Sequence, residues 1–343
     1  MGRLRTAACL LFCFSQLGHV LAGEVPIAPI ALFSDGLLDP LTREPIVPIP
    51  FETGVDQDKS ALGRQLFHDP ILSGDGTLSC ASCHNLEQGG HDGLPLSLSN
   101  VDAIGAINTP TVFNSALNFR LGWRGHFRNF DDHTNATLHQ ADQMNTTWAD
   151  LLPKLRAQRN YTKAFRNLYV GGLTKQSVLD VITEFQRSLL TPNARFDQYL
   201  RGAGDALSDD EKRGYELFKN FGCISCHQGI NVGGNLFQKV GIFKDYFTGR
   251  GNITRADLGR MIITGAERDR YVFRVPSLRN VAVTAPYFHD GSAEKLEAAV
   301  RKMGEIQLGI SLKEREIDLI TKFLGTLTGE YQGRSLETNL EVN

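Results

Sequence analysis

The chain has 343 residues, 41% of them hydrophobic, which is enough for two domains with proper cores. Its formal net charge is −2. With neither a basic stripe nor an acidic tail, the pattern argues against nucleic-acid binding and against a long disordered tail.

Residues 1–22 read as an export signal. Arg3 and Arg5 give a basic start, "TAACLLFCF" an apolar stretch, and "VLA" a small-residue cleavage site ending at Ala22. The apolar run is too short to span a bilayer, and no other long run exists, so no membrane span is expected in the mature chain. In bacteria this address is the periplasm. Residues 23–50, proline-rich from Pro26 onward, predict an extended N-terminal arm.

Two motifs dominate the rest of the chain. "LSCASCH" carries Cys80, Cys83 and His84, and "FGCISCH" carries Cys223, Cys226 and His227. Thiols at i and i+3 share one helical turn, so both can form thioethers to vinyl groups of one porphyrin. The adjacent histidine then sits under the iron as an axial ligand. A four-cysteine zinc site usually keeps its two CxxC pairs within about 20 residues, and a dithiol redox motif has no need of the histidine. The spacing therefore points to two covalent haem c groups. The cysteine count agrees. Cys9 and Cys13 lie in the signal, and the other four all belong to the motifs, which leaves none for a disulfide.

The motifs are embedded in a longer repeat. "GRQLF" (Gly63–Phe67) precedes the first and "GYELF" (Gly214–Phe218) the second. "PTVFNSA" (Pro110–Ala116) matches "PSLRNVA" (Pro276–Ala282), and "DVITEFQRSL" (Asp180–Leu189) matches "DLITKFLGTL" (Asp318–Leu327). Val178, Val181, Ile182, Phe185 and Leu189 follow helical spacing, as do Ile317, Ile320, Leu324 and Leu327. Ser208 with Glu211, and Ser311 with Glu314, predict capping boxes at helix starts. The fold expected is mainly α, with two tandem cytochrome c-like domains over residues 51–200 and 201–343, each holding one covalent haem c. The linker falls near Thr191–Ser208.

With these motifs in place, the chain resembles the di-haem bacterial cytochrome c peroxidase/MauG superfamily. The resemblance runs from "ALGRQLFHDPILSGDGTLSCASCH" to "IDLITKFLGTLTG" and is most specific in "INTPTVFNSALNF", "GCISCHQGINVGG", "YVFRVPSLRNVAVTAPYFHDG" and "VRKMGEIQLG". The loop "NVGGNLFQKVGIF" and the "DLGR…TG" stretch look closest to the MauG-like, MbnH-like branch. The resemblance makes His84 the ligand of a peroxide-reacting haem and His227 the ligand of an electron-transfer haem. Met303 becomes that second haem's other ligand, and Trp123 a relay between the two. Asn108, Thr284 and Pro286 become calcium ligands, the last two through backbone carbonyls. A thioether ligand favours reduced iron, which suits a haem that accepts electrons. Met303 and Trp123 each also have a plainer reading as core residues. Trp123 lies nine residues after Asn114, as His289 lies nine after Asn280.

The sequence departs from the superfamily at three places. The distal histidine falls at Asn100, a poor iron ligand; His91 is nearby but reads as a loop residue. The catalytic glutamate falls at Gln143, and a glutamine ten residues earlier falls at His133. The usual "WDGR" reads "WRGH", which puts Arg124 and His126 beside the relay. His133 can do the acid–base work that Gln143 cannot, with His126 and His139 as rivals.

Three functions stay open. One is peroxide reduction with electrons from a small cytochrome c or cupredoxin. The second is MauG-like oxidation of a partner protein by peroxide. The third is di-haem electron transfer without peroxide chemistry. The superfamily resemblance also allows a homodimer.

Overall fold

The computed structural model describes residues 44–97 and 107–337. The export signal, most of the arm and Asn100 lie outside the described residues. The described residues fall within one compact unit and are mainly helical. Their only extended structure consists of short antiparallel pairs, Phe237–Lys239 with Val272–Arg274 and Glu330–Tyr331 with Arg334–Ser335, plus isolated bridges. No described helix is long and apolar enough to cross a membrane.

The repeat read from the sequence recurs in three dimensions. Helix Gln57–His68 packs on Lys175–Ser188, and helix Asp209–Asn220 packs on Glu314–Gly325. Each crossing is tight at the glycine that opens the repeat. A Cβ on Gly63 would lie 1.9 Å from the Val181 carbonyl oxygen, and one on Gly214 would lie 2.0 Å from that of Leu319. Only glycine lets the backbones approach this closely. Asn114 and Asn280 match as well. Both are left-handed, and both donate through Nδ2 to the one Thr191 hydroxyl, at 2.7 and 3.0 Å.

Local signals account for several helix starts. Thr174 and Ser177 cap Lys175–Ser188, and Ser208 with Glu211 forms the expected capping box. The box expected at Ser311 and Glu314 is not formed. The helix begins at Glu314, and it is Glu316 that accepts from the Lys313 backbone, at 2.8 Å. Glu314 instead pairs with Arg301. A second carboxylate two residues along was free to take the capping position.

Apolar side chains gather in separate clusters. One joins Leu62, Leu66, Leu151, Phe165, Val178 and Ile182; another joins Phe196, Tyr215, Phe218, Ile320, Phe323 and Leu324. The stretch expected to be a linker is itself packed. It forms helix Arg195–Leu200, with Phe196 fully buried in the second cluster. Asp197 in that helix makes a wholly buried ion pair with Arg279, at 2.6 Å. The end of the arm is also docked. Ile46 bridges Gly229, and the Arg279 guanidinium donates to the Val47 carbonyl.

Candidate functional site

Each cysteine pair sits on a single turn. Cys80–Cys83 is one short helix, and Cys223–Ser225 is a 3-10 turn that ends at Cys226. Among the described residues all four cysteines are free. The histidine after each motif is held in the same way. His84 Nδ1 lies 3.2 Å from the Gly90 carbonyl oxygen, and His227 Nδ1 lies 3.3 Å from that of Val232. A carbonyl only accepts, so Nδ1 carries the proton and Nε2 keeps its lone pair, the arrangement that second-shell hydrogen bonds give a metal-ligating histidine. Burial keeps both rings neutral. It pushes His227 down to about 4 and His84 below its ordinary value.

Cys223, Cys226, His227 and Met303 line one cavity of about 460 Å³. Met303 reaches it from the end of helix Leu296–Met303, whose chain continues into a π-turn at Gly304–Leu308. Its walls are apolar where Phe218, Leu296, Val300 and Leu324 meet. Two thiols, a neutral imidazole with a free Nε2 and a thioether in a largely apolar cavity are a donor set that fits a haem c.

The same cavity reaches Trp123, Asn108, Thr284 and Pro286. Trp123 Nε1 donates to the Asn108 carbonyl at 2.8 Å. Behind Trp123 lies a buried ionic knot. His289 Nε2 is 2.7 Å from Asp257 Oδ1, and Arg250 pairs with both Asp257 and Asp290. Asp257, His289 and Asp290 are close enough to share a cation, but the Arg250 guanidinium already bridges the two carboxylates. Sequence reasoning reaches neither this knot nor the buried Arg274. The repeat relation of His289 to Trp123 is the one available signal.

Around the first motif the structure separates the three candidate histidines. His126 and His139 are exposed, whereas His133 is half-buried, packs edge to face on Phe127 and lies near His84. Burial first, and His84 second, push His133 from its ordinary 6.5 to about 4. Gln143 stays exposed in the turn after helix Phe130–His139, which carries His133. His91 uses both ring nitrogens within the protein. Nδ1 accepts from Gly93 N–H at 3.0 Å, and Nε2 donates to the Val283 carbonyl at 3.2 Å. Arg124 is half-buried with Nε unpartnered.

Comparison with known proteins places the chain in a family. The family pattern described as di-haem cytochrome c peroxidase matches residues 57–205. Cytochrome c peroxidase Ccp of Escherichia coli (strain K12) is 42% identical over 290 residues, covering 84% of this chain and 62% of that protein. Cytochrome c551 peroxidase of Nitrosomonas europaea is 40% identical over 289 residues, covering 84% of this chain and 85% of its own. The chain belongs to the di-haem cytochrome c peroxidase family. The crystal structure of a MauG-like protein associated with microbial copper homeostasis superposes with a TM-score of 0.71 at 29% identity, over 83% of this chain and 93% of that one. The chain thus spans less than two thirds of the first of these relatives and most of the other two.

Proposed function

We propose that this chain reduces hydrogen peroxide to water outside the cytoplasm, taking electrons from a small donor cytochrome c or cupredoxin. In this reading residues 51–200 and 201–343 are two haem domains. Cys80 and Cys83 hold one haem covalently and His84 orients it, while Cys223, Cys226, His227 and Met303 do the same for the other. Bound haem supplies the redox-active iron. Trp123, in the wall of the cavity that holds Cys223 and Met303, carries electron holes between the two halves. His133, neutral at pH 7, takes a proton from peroxide at its free ring nitrogen and returns it to the departing oxygen. Gln143 hydrogen-bonds without titrating. Asn108, Thr284 and Pro286 hold a calcium ion through three neutral oxygens; water would have to complete the six to eight ligands that calcium prefers.

The observation that carries this reading is the grouping of Met303 with Cys223, Cys226 and His227 in one cavity. A thioether ligand raises the potential of its iron and suits a haem that is filled by a donor. The higher identity to the two peroxidases than to the MauG-like structure points the same way. Oxidation of a partner protein is the second reading. It is favoured by the MauG-like superposition and by the engagement of both His91 nitrogens, which removes one candidate ligand from the peroxide side. Mixing oxidised protein with peroxide, with and without reduced donor cytochrome, separates the two. Fast donor-dependent turnover is expected. A long-lived oxidised species that ignores the donor would favour the second reading, and no reaction at all would leave a simple electron carrier.

A further inference from the structure

Arg274 ends the strand Val272–Arg274 and lines the cavity that holds Cys223, Cys226, His227 and Met303. It is only 5% exposed. Its hydrogen-bond partners are all neutral. Nε donates to the Gly122 carbonyl at 3.2 Å, and Nη1 donates to Asn118 Oδ1 at 3.2 Å and to the Val275 carbonyl at 3.4 Å. Nη2 has no acceptor among the described residues. Among the residues lining this cavity there is no Asp, Glu or Lys, and Arg274 alone carries a permanent charge. The titratable remainder is Cys223, Cys226, His227, His289, Tyr246 and Tyr287. The other deeply buried arginine, Arg279, has Asp197 against it.

A buried, unneutralised guanidinium is costly unless an anion completes it. No anion answers it among the described residues. Arginine's planar fork matches a carboxylate with two parallel N–H donors. We infer that Arg274 is the counter-ion for a carboxylate of the porphyrin bound in this cavity, with Nη2 left free to receive it. The inference rests on the haem reading of the cavity. It gives Arg274 a second task, because its backbone N–H donates to the Trp123 carbonyl at 2.9 Å while its side chain holds Gly122. One residue thus joins the edge of the second haem to the loop that carries Trp123. Burial also pushes the guanidinium down to about 10, which leaves it charged at any working pH.

The test is the midpoint potential of the C-terminal haem, read by spectroelectrochemistry on the holoprotein. Arg274→Gln keeps a donor at the Nε position for Gly122 but removes the charge, so a haem carboxylate is left uncompensated and the potential falls. The expected fall is at least about tenfold in the reduction equilibrium, or about 59 mV for one electron. Arg274→Lys restores most of it. Two haems per chain with an unchanged potential in Arg274→Gln would overturn the inference and leave the haem reading standing. Fewer than two haems in the wild type would overturn that reading instead. A measurement on the wild type covers the case in which Arg274→Gln does not fold. With haem carrying ¹³C-labelled propionates, the infrared spectrum at pH 5 should show an ionised carboxylate on the C-terminal haem. Finding both of its propionates protonated overturns the proposal.

Discussion

Trp123 and His289 meet edge to face with ring centroids 6.5 Å apart, and both are tied to Asn108. Trp123 Nε1 donates to the Asn108 carbonyl, and Asn108 N–H donates to that of His289, each at 2.8 Å. They stand at matching places in the two halves of the repeat. An indole can be oxidised where a benzene ring cannot. Trp123→Phe should therefore leave haem content intact and slow electron sharing after peroxide addition by about tenfold or more, a barrier rise of about 1.4 kcal/mol. Stopped-flow spectra of the two haems read the rate. An unaltered rate would mean that the halves couple by another route.

Met303→Leu should lower the potential of the C-terminal haem and abolish any sulfur-to-iron charge-transfer band, because leucine fills the space without a donor atom. If spectrum and potential are both retained, Met303 is packing only.

His133 should stay neutral until well into acid. Its folded value is about 4, against 6.5 ordinarily, so between these values the unfolded chain binds the proton and the folded chain does not. The second-order rate with peroxide should thus hold as pH falls through 6.5 and drop only near 4. Over the same window stability decreases as pH falls, because the unfolded state binds more protons there. His133→Ala should lose about 10²–10⁴-fold in rate. Equal rates and pH profiles in His133→Ala and wild type would remove His133 from the chemistry. A sharp gain in Gln143→Glu would mark the native chain as a weakened peroxidase.

Asp197 and Arg279 should prove costly to separate. Both side chains are 0% exposed, and removing one partner of a buried pair typically costs about 3–5 kcal/mol. Asp197→Ala should lower stability by that order in denaturant titration. Asp197→Leu combined with Arg279→Met should lose less. A single substitution that costs no more than a surface one would show that the pair is solvated in solution.

Much of the fold is legible in the sequence because it is local. The spacing of Val178, Ile182 and Phe185, and of Ile317, Ile320 and Leu324, marks helices whose apolar stripes do pack as pairs. The haem motifs are fixed by adjacent residues. What escapes depends on distance or on a missing partner. Ser311 and Glu314 have the right spacing for a cap, yet Glu316 competes and wins, and spacing alone does not rank the two. The acidity of the half-buried His133 is set by its surroundings and has no mark in "NFDDHTNATLHQ". Phe196 reads as part of a linker because its core partners, Tyr215 and Phe323, come later in the chain. Arg274 sits in an apolar run, and no acid in the cavity wall answers it.

The thiols themselves imply an order of events during maturation. Burial pushes Cys80 up to about 12 and Cys223 up to about 11, so in the folded chain at pH 7 only about one thiol in 10⁴–10⁵ is the reactive thiolate. If Cys80 and Cys223 form thioethers as proposed, this low thiolate fraction favours making their bonds while the segments are still open. Haem offered to folded apoprotein should bind reversibly and remain extractable with acid acetone, whereas haem present during folding should not.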